Sequence, residues 1–268
     1  MSKLLIHPSA PDASGRIHAV TPQSAGWAYV GFEVFRLSPG QRISAETNGR
    51  EACLVMVSGS ARITAGTLDA GLIGGRASPF EDSPDSVYCP AKSQWSATAA
   101  GPCEIALCSA PAQGRLPPRR IPPGEVGQET RGAGTNTRYV RSILPDTSQH
   151  AESLLVVEVI TPGGHWSSYP PHKHDTDDFP SETLLEETYY HRLRRGAGFA
   201  VQRVYTDDLS LDETMAVGDG DVVLVPKGYH PVGAPHGFDL WYLNVMAGPL
   251  RKWRTAVSPD HAFLLPPA

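Results

Sequence analysis

The sequence predicts an all-β protein built as two β-rich halves, and three observations predict it. Gly and Pro are frequent, 26 and 25 of 268 residues, above ordinary usage and without a repeat. Hydrophobic residues make up 40% of the chain, enough for a packed core and too many for a disordered or collagen-like chain. Apolar positions do not recur at helical spacing over any long stretch free of Pro and Gly. Short runs rich in β-branched and aromatic residues recur instead.

Taken in order, the first half offers strands at 29–37 (YVGFEVFRL), 52–57 (ACLVMV), 60–64, 86–89 and 104–108 (EIALC). The second half offers 137–144, 153–160 (SLLVVEVI), 187–193 (ETYYHRL), 199–205 (FAVQRVY), 213–217, 221–225 (DVVLV) and 240–246. Turn residues separate them, as SPG at 38–40, SGS at 58–60, TPGG at 161–164 and GDGD at 218–221. The stretch from 110 to 136 is rich in Pro, Gly and Arg and poor in apolar residues, and it reads as a connecting or extended surface segment. The expected organisation is a first module over 1–110, a connector over 111–136 and a second module over 137–268.

Charge and composition exclude several classes. The net charge of −5 opposes a nucleic-acid surface, which needs a basic patch. No apolar run is long enough to span a bilayer. The opening MSKLLIHPSAPDASG has only Leu4, Leu5 and Ile6 as an apolar block, too short for a secretory signal. A cytoplasmic protein is the expectation. Cys53, Cys89, Cys103 and Cys108 show no CxxC spacing and lie in or beside apolar runs, where a buried reduced thiol is expected.

The histidines are uneven. None of the ten lies between Val20 and Gln149, and seven fall between His150 and His236. His172 and His174 are two apart, so on a strand both imidazoles point the same way. Glu186 and Glu187 follow at the start of a strand. If Glu187 faces inward, so do Tyr189, His191 and Leu193; if Glu186 does, Arg192 is driven into the core. Burying an unpaired charge is costly, so alternation favours Glu187. His230 follows a strand and a PKG turn, which can present it from a strand end. Three imidazoles and a carboxylate suit a divalent transition metal (Zn, Mn, Fe, Ni or Co) with a position left open for catalysis. His150, His165 and His236 read as loop histidines, and Lys173, between two inward histidines, should point away.

The pattern His172-x-His174, Glu187, then Pro226-x-Gly228-x-His230 resembles a cupin. About eight extra residues between His174 and the glutamate keep Glu186 open beside Glu187. Over nearly its whole length the chain resembles the 5-deoxy-glucuronate isomerases of myo-inositol catabolism. The resemblance is carried by GWAYVGFEVFRL (26–37), RASPFEDSPDSVYCP (76–90), SLLVVEVITPGGHWSSYPPHKHDTD (153–177), LEETYYHRL (185–193), QRVYTDDLSLDETMAVGDGDVVLVPKGYHPV (202–232) and WYLNVMAGPLRKW (241–253). It implies a bicupin of two β-barrels, jelly-roll-like double-stranded β-helices, with metal only in the second. It implies isomerisation of 5-deoxy-D-glucuronate to 2-deoxy-5-keto-D-gluconate, by an enediol or by hydride shift, and assembly into a homo-oligomer.

Tyr189 and His191 are candidates for proton transfer. A sugar acid needs a cationic or amide clamp. Arg203, or Gln202 on the opposite face of its strand, is the candidate. Tyr242 and Asn244 share a face of their strand and could meet a substrate hydroxyl. Two rival expectations stand beside the isomerase: an Fe(II)-dependent oxygenase, since such a site also suits iron and O2, and a non-catalytic sugar-acid-binding cupin.

Overall fold

The computed structural model describes residues 2–265. The chain divides into two compact units. One comprises Pro8–Gly127 and Arg141–Val157; the other comprises the stretch up to His7, Gln128–Val140 and the chain from Glu158 onward.

The first unit is a six-stranded and a four-stranded antiparallel sheet. The six-stranded sheet runs in the order Arg119–Ile121, Ser86–Cys89, Arg50–Ser58, Cys103–Pro111, Gly31–Leu37, Arg16–Val20. The other runs Arg42–Glu46, Gln94–Ala99, Ser60–Ala65, Leu68–Gly74. Side chains alternate across each strand, so every second residue enters the core. In Gln94–Ala99 these are Trp95, Ala97 and Ala99; in Ser60–Ala65 they are Ala61, Ile63 and Ala65. Phe35, Leu54, Met56 and Ile105 fill the space opposite. The interior is therefore packed with apolar groups. The four cysteines are free and buried here, and burial raises the thiol pKa of Cys53 and Cys108.

One buried carboxylate ties this unit together. Glu51 accepts hydrogen bonds from the backbone N–H groups of Glu152, Ser153 and Leu154 at 2.7 to 2.8 Å, and from the Tyr88 hydroxyl at 2.8 Å. A fully buried acidic group is tolerable only with such a set of donors.

The second unit holds most of a seven-stranded sheet in the order Leu5–Ile6, Val222–Val225, Glu186–Leu193, Leu240–Ala247, Leu155–Thr161, Arg138–Leu144, Gly127–Arg131, of which residues 127, 141–144 and 155–157 fall in the first unit. A four-stranded sheet, Trp166–Ser167, Val232–Gly233, Ala200–Tyr205, Asp212–Val217, and a short pair, His172–Lys173 with Ala256–Val257, accompany it. The ladders are open sheets; among the described residues strand pairing closes no barrel in either unit.

All twelve expected strands are present to within a few residues. The segment from 110 to 136 departs from a bare connector. It contains Arg119–Ile121, paired with Ser86–Cys89, and Gly127–Arg131, an edge of the seven-stranded sheet. Pro117, Pro118, Pro122 and Pro123 flank the short strand, where a missing N–H costs nothing. The sequence did not point to Leu5–Ile6, which pairs with Val222 and Val223. One short α-helix, Pro22–Ala25, is capped by Thr21, whose hydroxyl accepts from the Ser24 N–H.

Candidate metal centre

Three elements of the second unit bring the central histidines together. His172 and His174 come from the short strand that pairs with Ala256–Val257 and the residue beyond it. Glu187 enters from Glu186–Leu193, and His230 from the turn after Val222–Val225. That turn requires glycine. Gly228 has φ +87°, and a Cβ there would lie 2.4 Å from the Tyr205 carbonyl oxygen. Its N–H donates to Asp175 Oδ2 at 2.8 Å, which ties the turn to the segment just after His174.

The stretch between His174 and the glutamates is ordered by its own carboxylate. Glu182 Oε1 accepts from the N–H groups of Asp175 and Thr176 at 2.7 and 3.0 Å. The chain then returns to His174: Leu185 N–H donates to its carbonyl at 2.8 Å, and its Nδ1 bonds the Leu185 carbonyl at 3.0 Å. Glu187 follows two residues later, facing the histidines.

Glu187 Oε2 lies 3.1 Å from His174 Nε2 and 3.3 Å from His230 Nε2. Among the described residues, His174, Glu187 and His230 form the one group of three or more His, Cys, Asp and Glu side chains spaced to hold a metal ion. The His172 ring centroid lies 5.0 Å from that of His230 and 6.4 Å from that of His174. Each histidine is pinned through Nδ1 to a carbonyl: His174 to Leu185, His230 to Gly228 at 2.9 Å, His172 to Pro170 at 3.4 Å. An Nδ1–H bonded to a carbonyl leaves the Nε2 lone pair for another partner. The buried His230 Nε2 makes no hydrogen bond. These residues fit a divalent transition metal: borderline nitrogen donors plus one carboxylate, with the tautomers set for it.

Burial pushes His172 and His230 down to about 3, aided at His172 by the neighbouring His174. Both are therefore neutral, the form that coordinates. Burial opposes charge on His174 too, but the hydrogen bond and charge of Glu187 outweigh it, and its pKa is raised.

The other expected site residues divide. Glu186 stands on the opposite face of the strand from Glu187. Tyr189 is brought to the centre, its ring 5.8 Å from that of His230. Burial first, then the charge of Glu187, pushes its pKa well above the ordinary value, so it stays protonated. His191 stacks behind Tyr189 at 5.8 Å, and its Nε2 bonds Gln202 Oε1 at 3.0 Å. Tyr242 packs 4.9 Å from Tyr189, and Asn244 sits beside the Tyr189 hydroxyl. Arg203 is not brought to the site: it points to the other face and forms a two-pronged pair with Asp212 at 2.7 and 2.9 Å. Lys173 also turns away, to Asp175 and Asp207 at 3.1 Å each.

The sequence reading passed over two adjacent serines. Ser168 Oγ lies 2.8 Å from the Tyr189 hydroxyl, and Ser167 Oγ accepts from the Tyr242 hydroxyl at 2.9 Å. They stand in the run WSSYPPHKH, immediately before the histidine pair, and that position was the available signal.

Fold and site together define a cupin protein of two modules, with a histidine–carboxylate centre in the second. Comparisons with known proteins narrow this. The KduI/IolB family model matches residues 4–264, and the chain belongs to that family. It is 55% identical over 266 residues to the 5-deoxy-glucuronate isomerase of Geobacillus kaustophilus (strain HTA426), covering 99% of this chain and 96% of that one. The crystal structure of an IolB-like protein from Salmonella typhimurium LT2 superposes with TM-score 0.94 at 53% identity, over 97% of this chain and 98% of that one. An oxalate decarboxylase from Lactobacillus farciminis shares the bicupin fold, with TM-score 0.69 at 15% identity over 99% of this chain and 91% of that one.

Proposed function

We propose that this chain is a 5-deoxy-glucuronate isomerase, converting 5-deoxy-D-glucuronate to 2-deoxy-5-keto-D-gluconate as a cytoplasmic step of inositol breakdown. The full-length identity to the Geobacillus kaustophilus isomerase carries the reading. The site chemistry agrees with it. The reaction moves the hydrogen on C2 to C1 and the hydroxyl proton on O2 to O1, turning the aldehyde into CH2OH and the C2 alcohol into a ketone.

His172, His174, Glu187 and His230 would hold a divalent transition metal. When bound, such an ion polarises carbonyl and hydroxyl oxygens and stabilises negative charge on them. The chain's own groups do the rest. Tyr189, kept protonated by burial, offers its O–H to a substrate oxygen on which charge develops. Ser168 fixes the position of that hydroxyl. His191 and Gln202 brace the ring from behind, and Tyr242 and Asn244 line the same face.

The test is incubation of purified protein, loaded in turn with Zn, Mn, Fe, Co or Ni, with 5-deoxy-D-glucuronate, followed by NMR. The ketose signals are expected. No turnover with any of the five metals overturns the proposal. Solvent deuterium at the new CH2OH carbon distinguishes an enediol route from an internal hydride shift.

A further inference from the structure

The sugar acid of the proposed reaction carries a carboxylate, yet most cations near the site are already paired. Arg203 is held by Asp212, and Lys173 lies between Asp175 and Asp207. Arg131 gives Nε and Nη2 to Glu129. Arg138 differs. It begins the strand Arg138–Leu144 and is half-buried. Its Nη1 donates to the carbonyls of Asn136 and Tyr169 at 3.1 and 3.2 Å. Among the described residues its Nε and Nη2 have no hydrogen bond, and no carboxylate lies within ion-pair distance.

Its place is set by Tyr169. On one side of Tyr169 is Ser168, which bonds the Tyr189 hydroxyl; on the other is Pro170, whose carbonyl holds His172. The bond to Tyr169 thus fixes Arg138 one residue from two walls of the site. Its charge is felt at His172, Tyr189 and Tyr242. The turn before it leaves the guanidinium its room. Gly132 has φ +75°, and a Cβ there would lie 2.7 Å from Arg138 Nη1 and 2.2 Å from the Asn136 carbonyl oxygen.

A guanidinium drawn partly out of water without an anion is costly until one arrives. Its free Nε and Nη2 form the edge that receives a carboxylate in two parallel hydrogen bonds. We propose that Arg138 is the clamp for the substrate carboxylate, so that the sugar acid lies with its other end at the His174–Glu187–His230 cluster. The inference rests on the isomerase reading above, and it assigns to Arg138 the task that the sequence suggested for Arg203.

The experiment compares wild type, Arg138→Met and Arg138→Lys, each metal-loaded. Rates are taken on 5-deoxy-D-glucuronate and on its neutral 6-alcohol counterpart, 5-deoxy-D-glucose. Arg138→Met should raise KM for the acid about 10- to 100-fold, the worth of a charge-assisted hydrogen-bond pair. The neutral sugar and the metal content should change little, and Arg138→Lys should recover part of the loss. An unchanged KM for the acid, or equal losses on both sugars, overturns the assignment. If wild type turns over neither sugar, the isomerase reading falls by itself. Calorimetric binding of D-glucuronate then decides Arg138: binding lost in Arg138→Met supports the clamp, while equal binding, or none to wild type, refutes it.

Discussion

His191 Nε2 bonds Gln202 Oε1 at 3.0 Å, and both side chains are fully buried. The pair joins the strand that carries Glu187 and Tyr189 to the facing sheet. Gln202→Leu keeps the volume but leaves a buried imidazole N–H without an acceptor. The expected cost is about 1–3 kcal/mol, read as a fall in melting temperature of the metal-free protein. An unchanged melting temperature would show that the bond is idle.

The same histidine makes stability depend on pH. Burial, the largest influence, holds folded His191 down to about 4, against an ordinary value of 6.5. Between these values the unfolded chain binds the extra proton, so folding stability falls as pH drops from 6.5 and levels off below 4. The loss from this one group is about 3 kcal/mol. Urea titrations of metal-free wild type and His191→Gln from pH 7 to pH 4 measure it. The variant should show the smaller decline, and parallel curves would count against the assignment.

Glu187 and Glu186 separate cleanly by metal content. Glu187→Gln removes the carboxylate that faces His174 and His230 and should reduce bound metal at least about tenfold after dialysis, as expected for a lost direct ligand. Glu186→Gln, altered on the opposite face of the strand, should keep the metal of wild type. Elemental analysis of both decides the ligand.

In the first unit, Glu51→Gln should destabilise without touching chemistry. The amide presents one acceptor oxygen where the carboxylate serves four donors. A loss of about 2–4 kcal/mol is expected from uncompensated buried donors. Denaturant midpoints should fall while metal content holds, and an unaltered midpoint would show that the backbone finds other partners.

Arg203→Ala is the counterpart to the Arg138 series. Its pair with Asp212 is solvent-exposed, and such pairs contribute little. KM for the sugar acid should stay within about twofold, since an exposed pair outside the site carries little energy. A larger rise would return Arg203 to the site.

Much of this was legible from residue order, because strand alternation and inward polar residues obey one rule. Glu187, Tyr189 and His191 fall on one face for the reason that keeps Arg192 out of the core, where it bonds Asp219 instead. Among the strands that escaped notice are Arg16–Val20, Arg42–Glu46, Leu68–Gly74 and Gln94–Ala99. They turn one polar face outward and use small inward residues such as Ala97 and Ala99, so their hydrophobic signal is faint. Arg203 was the candidate on paper and Gln202 its alternative; neighbouring residues oppose each other, and only the sheet decides which enters. Arg138 was invisible because its role comes from a carbonyl of Tyr169, a contact that no spacing encodes.

The edge strand Leu5–Ile6 sets an order on the chain's assembly. Its partners, Val222 and Val223, lie roughly 200 residues downstream. At roughly 5–20 residues per second on the ribosome, they emerge some ten to forty seconds later. During that interval the segment cannot yet take its place in the sheet. The sheet that carries Glu187 and Tyr189 is therefore completed by a segment made long before its partner strand, and deleting Leu5 and Ile6 should loosen the His174–Glu187–His230 cluster.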